Sequence, residues 1–137
     1  MSKRVVVVGL GQMGGAMAER LRESGMEVTG FDINEVTRQR FRTQGMRVAD
    51  SLQAALADCE TVLTSLPNSE IVRSVWLGEQ GIVGLARPGT LCVELSTIDP
   101  QTMRDLAAAA AGRCRQRPHD HVATLSAGRR LRRRRRA

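Results

Sequence analysis

The fold can be inferred from Gly9-Leu10-Gly11-Gln12-Met13-Gly14, because this glycine-rich segment connects a predicted strand to a predicted helix. Val5-Val6-Val7-Val8 precedes it, with the continuous β-branched pattern of a strand buried on both faces of a parallel sheet. An amphipathic helix is predicted to follow it. In a strand–loop–helix unit of this spacing, the first glycine permits a tight turn and the second lets another group approach the backbone. The third lets the helix pack closely on the strand.

The rest of the chain to residue 112 alternates between predicted strands and predicted helices. Gly25 and Gly45 are expected to end the first two helices, while Asn34 and Asp99 are expected to begin later ones. Such alternation is typical of βαβ units, and it predicts a Rossmann-type α/β fold with a doubly wound parallel sheet. The predicted strands are residues 5–8, 27–32, 46–49, 61–66 and 90–95, with helices between them and a last helix to residue 111.

The glycine loop also predicts a ligand. A helix that begins at such a loop points free N–H groups and its positive dipole end at an anion, so a pyrophosphate can bind without a basic side chain. Asp32 follows the glycines by about 20 residues, where a carboxylate accepts hydrogen bonds from the adenosine ribose hydroxyls. We therefore expect NAD or NADP here. NAD is favoured, because a 2′-phosphate would meet the like charge of Asp32.

Alternatives stay open for these residues. The loop could be a structural turn in another kind of α/β protein, and Asp32 could be a helix-capping or surface acid. Arg38, Arg40 and Arg42 follow closely and could soften the preference for NAD, although their default role is a solvated helix face.

Two further loops are expected at the same edge of the sheet. Ligands of doubly wound sheets bind at the carboxyl ends of the strands, where the strand order reverses, here between the first and fourth strands. The fourth strand runs into Leu66 and Pro67, and Pro67 is expected to end it because proline lacks an N–H. The fifth runs into Ser96 and Thr97, whose hydroxyls could bind a nicotinamide ribose or a substrate carboxylate. Alternatively, Ser96 and Asp99 simply cap the next helix.

The net charge of +7 is unevenly distributed along the chain. Residues 1–112 carry 11 basic and 13 acidic side chains, whereas residues 113–137 carry 10 arginines and one acid. Because the second segment has few large apolar residues, burial cannot offset its ordering entropy, and we expect disorder. The predicted organisation is a folded domain over residues 1–112 and an Arg-rich tail over residues 113–137.

The cysteines favour a reduced, cytoplasmic protein. Cys59, Cys92 and Cys114 are odd in number and widely spaced, without a CxxC pair or metal-ligand spacing. We interpret Cys59 and Cys92 as small apolar residues of the core and expect no metal site. No stretch is long and apolar enough to span a membrane.

Four blocks of the sequence together resemble the β-hydroxyacid dehydrogenases, the family of 3-hydroxyisobutyrate dehydrogenase and of the 6-phosphogluconate dehydrogenase cofactor domain. The resemblance covers residues 3–112. It implies NAD(P)-dependent oxidation of a short 3-hydroxy acid to its semialdehyde, or the reverse, and an oligomer for the full-length protein. The blocks are Gly9-Leu-Gly-Gln-Met-Gly-Gly-Ala-Met-Ala18, Gly30-Phe-Asp-Ile-Asn34, Leu66-Pro-Asn-Ser69 and Leu95-Ser-Thr-Ile-Asp-Pro100.

The resemblance also implies roles for individual residues. The cofactor would contact the glycine loop, the acid after the second strand, the Leu-Pro pair and the threonine of the Ser-Thr block, while Ser96 would lie toward the substrate. Some relatives have an asparagine where this chain has Ile71, so that contact is not carried over. The implied cofactor-binding residues are Gly9, Leu10, Gly11, Gln12, Met13, Gly14, Asp32, Leu66, Pro67 and Thr97.

The resemblance stops before the family's sixth strand, catalytic lysine and helical second domain. Lys3 is the single lysine and precedes the first strand, and His119 and His121 lie in the tail, so we expect no catalytic residue in this chain. Without a proton acceptor, hydride transfer could be positioned but not completed. We therefore expect a truncated cofactor domain that is inactive alone, with its fifth strand as an aggregation-prone sheet edge.

The abrupt change of composition at Gly112 suggests a further hypothesis, that residues 113–137 are read out of frame from a G+C-rich gene. Sequencing the locus in all frames would test it. Two other functions stay open, a non-catalytic NAD-binding module and nucleic-acid binding by the ten arginines of the tail, although no aromatic residue interleaves them.

Overall fold

The computed structural model describes residues 3–111, and the predicted tail lies outside the described residues. The strands are β1 (Arg4–Val8), β2 (Glu27–Phe31), β3 (Arg47–Val48), β4 (Thr61–Thr64) and β5 (Leu91–Glu94). The helices are α1 (Gln12–Glu23), α2 (Glu35–Thr43), α3 (Leu52–Leu56), α4 (Ser69–Leu77), α5 (Ile82–Leu85) and α6 (Pro100–Ala110).

The five strands form a parallel sheet in the order β3-β2-β1-β4-β5. The direction of strand addition therefore reverses between β1 and β4, at the position predicted from the sequence. This confirms the Rossmann-type doubly wound fold. The carboxyl ends of β1, β2, β4 and β5 lie along one edge, which places the turns after them side by side.

Both faces of the sheet are buried, because the valines of β1 point alternately into two apolar clusters. These four valines are at most 5% exposed. One cluster packs β1, β4 and β5 against α3, α4 and α6 and contains Trp76, Cys59 and Cys92. The other packs β1 and β2 against α1 and α2 and contains Leu10. The interpretation of Cys59 and Cys92 as core residues is confirmed.

The predicted helix ends are confirmed by local geometry. The Asn34 side chain accepts hydrogen bonds from the backbone N–H groups of α2, and Asp99 accepts one from Thr102 N at the start of α6. Gly25 and Gly45 follow α1 and α2 with φ of 94° and 87°, a left-handed conformation that favours glycine.

Two features differ clearly from the sequence-based expectations, while the ends of the other strands agree to within one residue. The short helix α5 was not predicted, and β4 ends at Thr64 rather than at Leu66. Pro67 does not end this strand. Its ladder stops earlier because Leu66 N donates to the Ser96 side chain, at 2.6 Å, and not to a strand carbonyl. Among the described residues, no helix is long and apolar enough to cross a membrane.

Candidate functional site

Two glycines of the loop between β1 and α1 are fixed by close backbone packing. Gly9 has φ of 95°, and a Cβ atom there would lie 2.1 Å from the carbonyl oxygen of Ser65. A Cβ atom on Gly14 would lie 1.8 Å from the carbonyl oxygen of Gly9. Side chains are therefore excluded at both positions, as predicted, by the tight turn and by the close approach of α1 to β1.

Gly11 differs from these two, because a Cβ atom there would meet nothing within 4 Å. It is the N-cap residue of α1, with no side-chain hydrogen bond to the first turn and no acidic residue within that turn. The helix therefore begins with backbone N–H groups that no capping side chain occupies, beside open space. This arrangement fits the phosphates of a dinucleotide, which bind to such amides and to the positive end of the helix dipole.

Asp32 connects this loop to the end of β2. Its Oδ2 accepts a hydrogen bond from Leu10 N at 2.9 Å, and its Oδ1 accepts one from Asn34 N at 2.9 Å. Asn34, not Asp32, caps α2, so the helix-cap alternative for Asp32 is wrong. A carboxylate has about four lone-pair sites, so two remain for the hydroxyls of a ribose.

Two of the three arginines of α2 make more contacts than a solvated helix face would, whereas Arg40 is exposed and lies over the Phe41 ring. Arg38 donates to the carbonyl oxygens of Asp32, at 2.8 Å, and Ile33, at 3.1 Å, and its guanidinium lies 5.9 Å from the centre of the Phe31 ring. Arg42 pairs with Asp50. Arg38 is thus held by the backbone of the β2–α2 turn.

The turns after β4 and β5 are joined directly. Ser96 is 4% exposed, and its hydroxyl accepts the hydrogen bond from Leu66 N, whereas Pro67 and Thr97 are exposed. Asp99 caps α6. The alternative that both Ser96 and Asp99 cap this helix is therefore correct for Asp99 and wrong for Ser96.

The structure brings the predicted site residues to one edge of the sheet. Asp32 contacts the glycine loop, and Gly9 packs on the turn that contains Leu66, which in turn is bonded to Ser96. Within the loop, Leu10 is fully buried and can offer only its backbone, while Met13 is 71% exposed. The roles of these residues in cofactor and substrate binding stay predictions. Lys3 lies at the opposite edge, immediately before β1.

One buried polar cluster, which lies directly beneath these turns, was not predicted from the sequence. Glu94 is fully buried and accepts hydrogen bonds from Trp76 Nε1 at 3.0 Å, from the Thr64 hydroxyl and from Ser96 N. A glutamate that ends the apolar strand Leu91-Cys92-Val93-Glu94 was the available signal, because glutamate is almost never fully buried without partners.

Two aspartates, the N-cap residue of α6 and one within that helix, have lowered pKa values. Hydrogen bonds with Ser69 and Thr102 hold the pKa of Asp99 well below its usual range. The Arg73 guanidinium, which donates to Asp105 at 2.7 Å, lowers the pKa of that carboxyl and ties α4 to α6. Within residues 3–111, no group of three or more His, Cys, Asp or Glu side chains could hold a metal ion.

The fold and this edge define a dinucleotide-binding Rossmann domain. A family model described as "NAD binding domain of 6-phosphogluconate dehydrogenase" matches residues 4–116. The chain belongs to this family. It is thus an NAD(P)-binding domain of the hydroxyacid dehydrogenase type, as the resemblance implied.

Similar proteins point to the same group of oxidoreductases. A "Probable 3-hydroxyisobutyrate dehydrogenase, mitochondrial" of Dictyostelium discoideum is 38% identical over 109 residues, which are 80% of this chain and 34% of that protein. The structure of "Mycobacterium tuberculosis 3-Hydroxyisobutyrate dehydrogenase (MtHIBADH) + L-serine" superposes with a TM-score of 0.75 at 31% identity, covering 83% of this chain and 38% of that one.

A second structure, "Psf3 in complex with NADP+ and 2-OPP", gives a TM-score of 0.74 at 28% identity and covers 80% of this chain and 39% of that one. The chain therefore spans little more than a third of the length of the relatives it matches.

Proposed function

We propose that this chain is the cofactor domain of a 3-hydroxyisobutyrate dehydrogenase-like oxidoreductase, and that it binds NAD in preference to NADP. The full-length enzyme would oxidise a short 3-hydroxy acid to its semialdehyde, or catalyse the reverse. One observation carries the proposal: Gly11 begins α1 beside open space, with no side chain capping the helix.

The residues around this loop support the division of roles. The backbone amides at the start of α1 would bind the pyrophosphate, since neither a capping side chain nor an acid of the first turn competes for them. Asp32 would accept hydrogen bonds from the adenosine ribose. Exposed Pro67 and Thr97 follow β4 and β5 at the carboxyl edge of the sheet, where the nicotinamide half would lie.

The preference for NAD follows from the charges at the end of β2. A 2′-phosphate on the adenosine ribose would be repelled by the carboxylate of Asp32. Arg38 also lies at that turn, where its Nη1 donates to the carbonyl oxygens of Asp32 and Ile33. Binding NADP would place the 2′-phosphate against the carboxylate of Asp32, while Arg38 is oriented toward the backbone.

The chemistry of the reaction belongs to the nicotinamide ring, which accepts or gives a hydride. The chain's own residues would hold and orient the dinucleotide at the carboxyl edge of the sheet. Within residues 3–111 the single lysine, Lys3, lies at the opposite edge, so it could not accept the proton that oxidation of a hydroxyl releases there. We propose that this chain binds cofactor without catalysing turnover by itself.

Calorimetric titrations of the full chain with NAD, NADP and duplex DNA, each at two salt concentrations, test this proposal. We expect NAD to bind more tightly than NADP, with a weak salt dependence for NAD. Absence of NAD binding would refute the proposal. Steeply salt-dependent binding of DNA, together with no binding of NAD, would instead support nucleic-acid binding through residues 113–137.

A further inference from the structure

Glu94 is the one charged residue among the fully buried side chains of residues 3–111. It stands at the carboxyl end of β5, directly opposite Thr64 at the carboxyl end of β4. Three donors converge on its two oxygens: the Trp76 indole N–H and the Thr64 hydroxyl on Oε2, and Ser96 N on Oε1. A buried carboxylate that is satisfied in this way rigidifies its surroundings, because moving any one partner leaves a polar group unpaired.

The bonds made by this carboxylate continue into the two turns at the cofactor edge. Glu94 holds the backbone of Ser96, and the hydroxyl of Ser96 accepts the hydrogen bond from Leu66 N at 2.6 Å. The turn after β5 and the turn after β4 are thereby fixed to each other. Trp76, fully buried in α4, anchors the other end of this chain of bonds.

An apolar residue in place of Glu94 could fill the same space, but it would release the amide of Ser96 and with it the register between the two turns. Hydrophobic packing is not directional, whereas this set of hydrogen bonds defines one arrangement. We propose that Glu94 is a positioning residue. It holds the Ser96 and Leu66 turns at the spacing that the nicotinamide half of the dinucleotide requires. This inference rests on the proposed function above.

Trp76 makes the inference measurable, since it is the only tryptophan in the sequence. Its indole N–H is shared between Glu94 at 3.0 Å and Thr64 at 3.1 Å. If the dinucleotide binds against the two turns, the small displacement of these turns should alter the surroundings of the indole through the hydrogen bonds of Glu94. We therefore expect saturating NAD to change the emission of Trp76 in the wild-type chain.

The test compares three variants of the full chain. Glu94→Gln keeps the size of the side chain but replaces one acceptor oxygen by an NH2 group, which leaves a donor facing a donor. Ser96→Ala removes the acceptor of Leu66 N and serves if Glu94→Gln does not fold. Ser51→Ala is the matched control, because the Ser51 hydroxyl also accepts one backbone N–H bond, from Ala54, but lies after β3 at the far side of the sheet.

The readouts are the Kd for NAD, the NAD-induced change in Trp76 emission and the urea midpoint. We expect Glu94→Gln and Ser96→Ala to weaken NAD binding about tenfold. Both should also lose the emission change at saturating NAD, in buffer where they are fully folded. Ser51→Ala should lower the urea midpoint while keeping the wild-type Kd and emission change.

The outcomes distinguish a failure of the positioning role of Glu94 from a failure of the proposed NAD-binding function. If the wild-type chain binds NAD and the two edge variants bind it as tightly, with the same change in emission, Glu94 is only a structural residue and the inference is overturned. If the wild-type chain binds no NAD, the proposed function fails, and the inference fails with it.

Discussion

Replacing Gly14 and Gly11 separately by alanine should separate the folding of the loop from its binding role. In Gly14→Ala the new Cβ would lie 1.8 Å from the carbonyl oxygen of Gly9, whereas Cβ atoms in proteins do not approach other atoms within 3.0 Å. The helix α1 must therefore move by more than about 1 Å relative to β1, against fully buried contacts such as Ala18. Overpacking of this kind costs about 1–3 kcal/mol.

For Gly14→Ala we expect the free energy of unfolding to fall by about 2 kcal/mol, which lowers the urea midpoint by about 1–2 M. In Gly11→Ala the added methyl meets no atom within 4 Å, and the φ of −69° suits alanine. Its cost should not exceed about 1 kcal/mol, the value of a changed N-cap residue. The same methyl would occupy the space through which a pyrophosphate approaches the backbone, so NAD affinity should fall at least about tenfold.

Urea unfolding followed by far-UV circular dichroism and calorimetric titration with NAD measure the two effects on the same samples. A urea midpoint that fell as much in Gly11→Ala as in Gly14→Ala would contradict the distinction between the two glycines. Wild-type affinity of Gly11→Ala for NAD would also contradict it, since the open space at Gly11 would then have no connection with the cofactor.

Three further predictions concern single side chains. Asp32→Asn should lower the ratio of NAD to NADP affinity about tenfold in parallel titrations, because it removes the charge that repels a 2′-phosphate; an unchanged ratio would count against this role. Because Arg73 lowers the pKa of Asp105 below its ordinary 3.8, their bond stabilises the fold above that pH and is lost as the pH falls through the lowered value. The urea midpoint should therefore decline in acid, and less so in Arg73→Gln. Burial raises the pKa of the Cys59 thiol, which should react with a thiol reagent only after unfolding; rapid labelling of native Cys114→Ser protein would contradict this.

The parts of the fold that the sequence predicts are those set by neighbouring residues. The β-branched run of β1 and the cap residue Asn34 act within a few positions of themselves, so their elements follow from local pattern. The reversal of strand order between the first and fourth strands is expected of a doubly wound sheet, and it too agrees with the structure. The glycine loop belongs to this class, because its conformational needs are local.

The parts that escape prediction depend on contacts between distant segments. β4 ends early because Leu66 N finds the hydroxyl of Ser96, 30 residues away in sequence. Glu94 is buried because Trp76 and Thr64, 18 and 30 residues away, both donate to it. Considered alone, a glutamate near a strand end is expected at the surface. For Asp32 the position was predicted, but its bond to Leu10 N was not.

An amide chemical-shift titration of the isotope-labelled chain with NAD would show whether the dinucleotide binds at the glycine loop. We predict the largest shifts for the amides at the start of α1, from Gln12 to Gly14, and for the neighbours of Asp32. The amides at the amino edge of the sheet, such as that of Glu27, should keep their chemical shifts. Saturating NAD that left the α1 amides unchanged, or that shifted only residues 113–137, would contradict a dinucleotide site at the glycine loop.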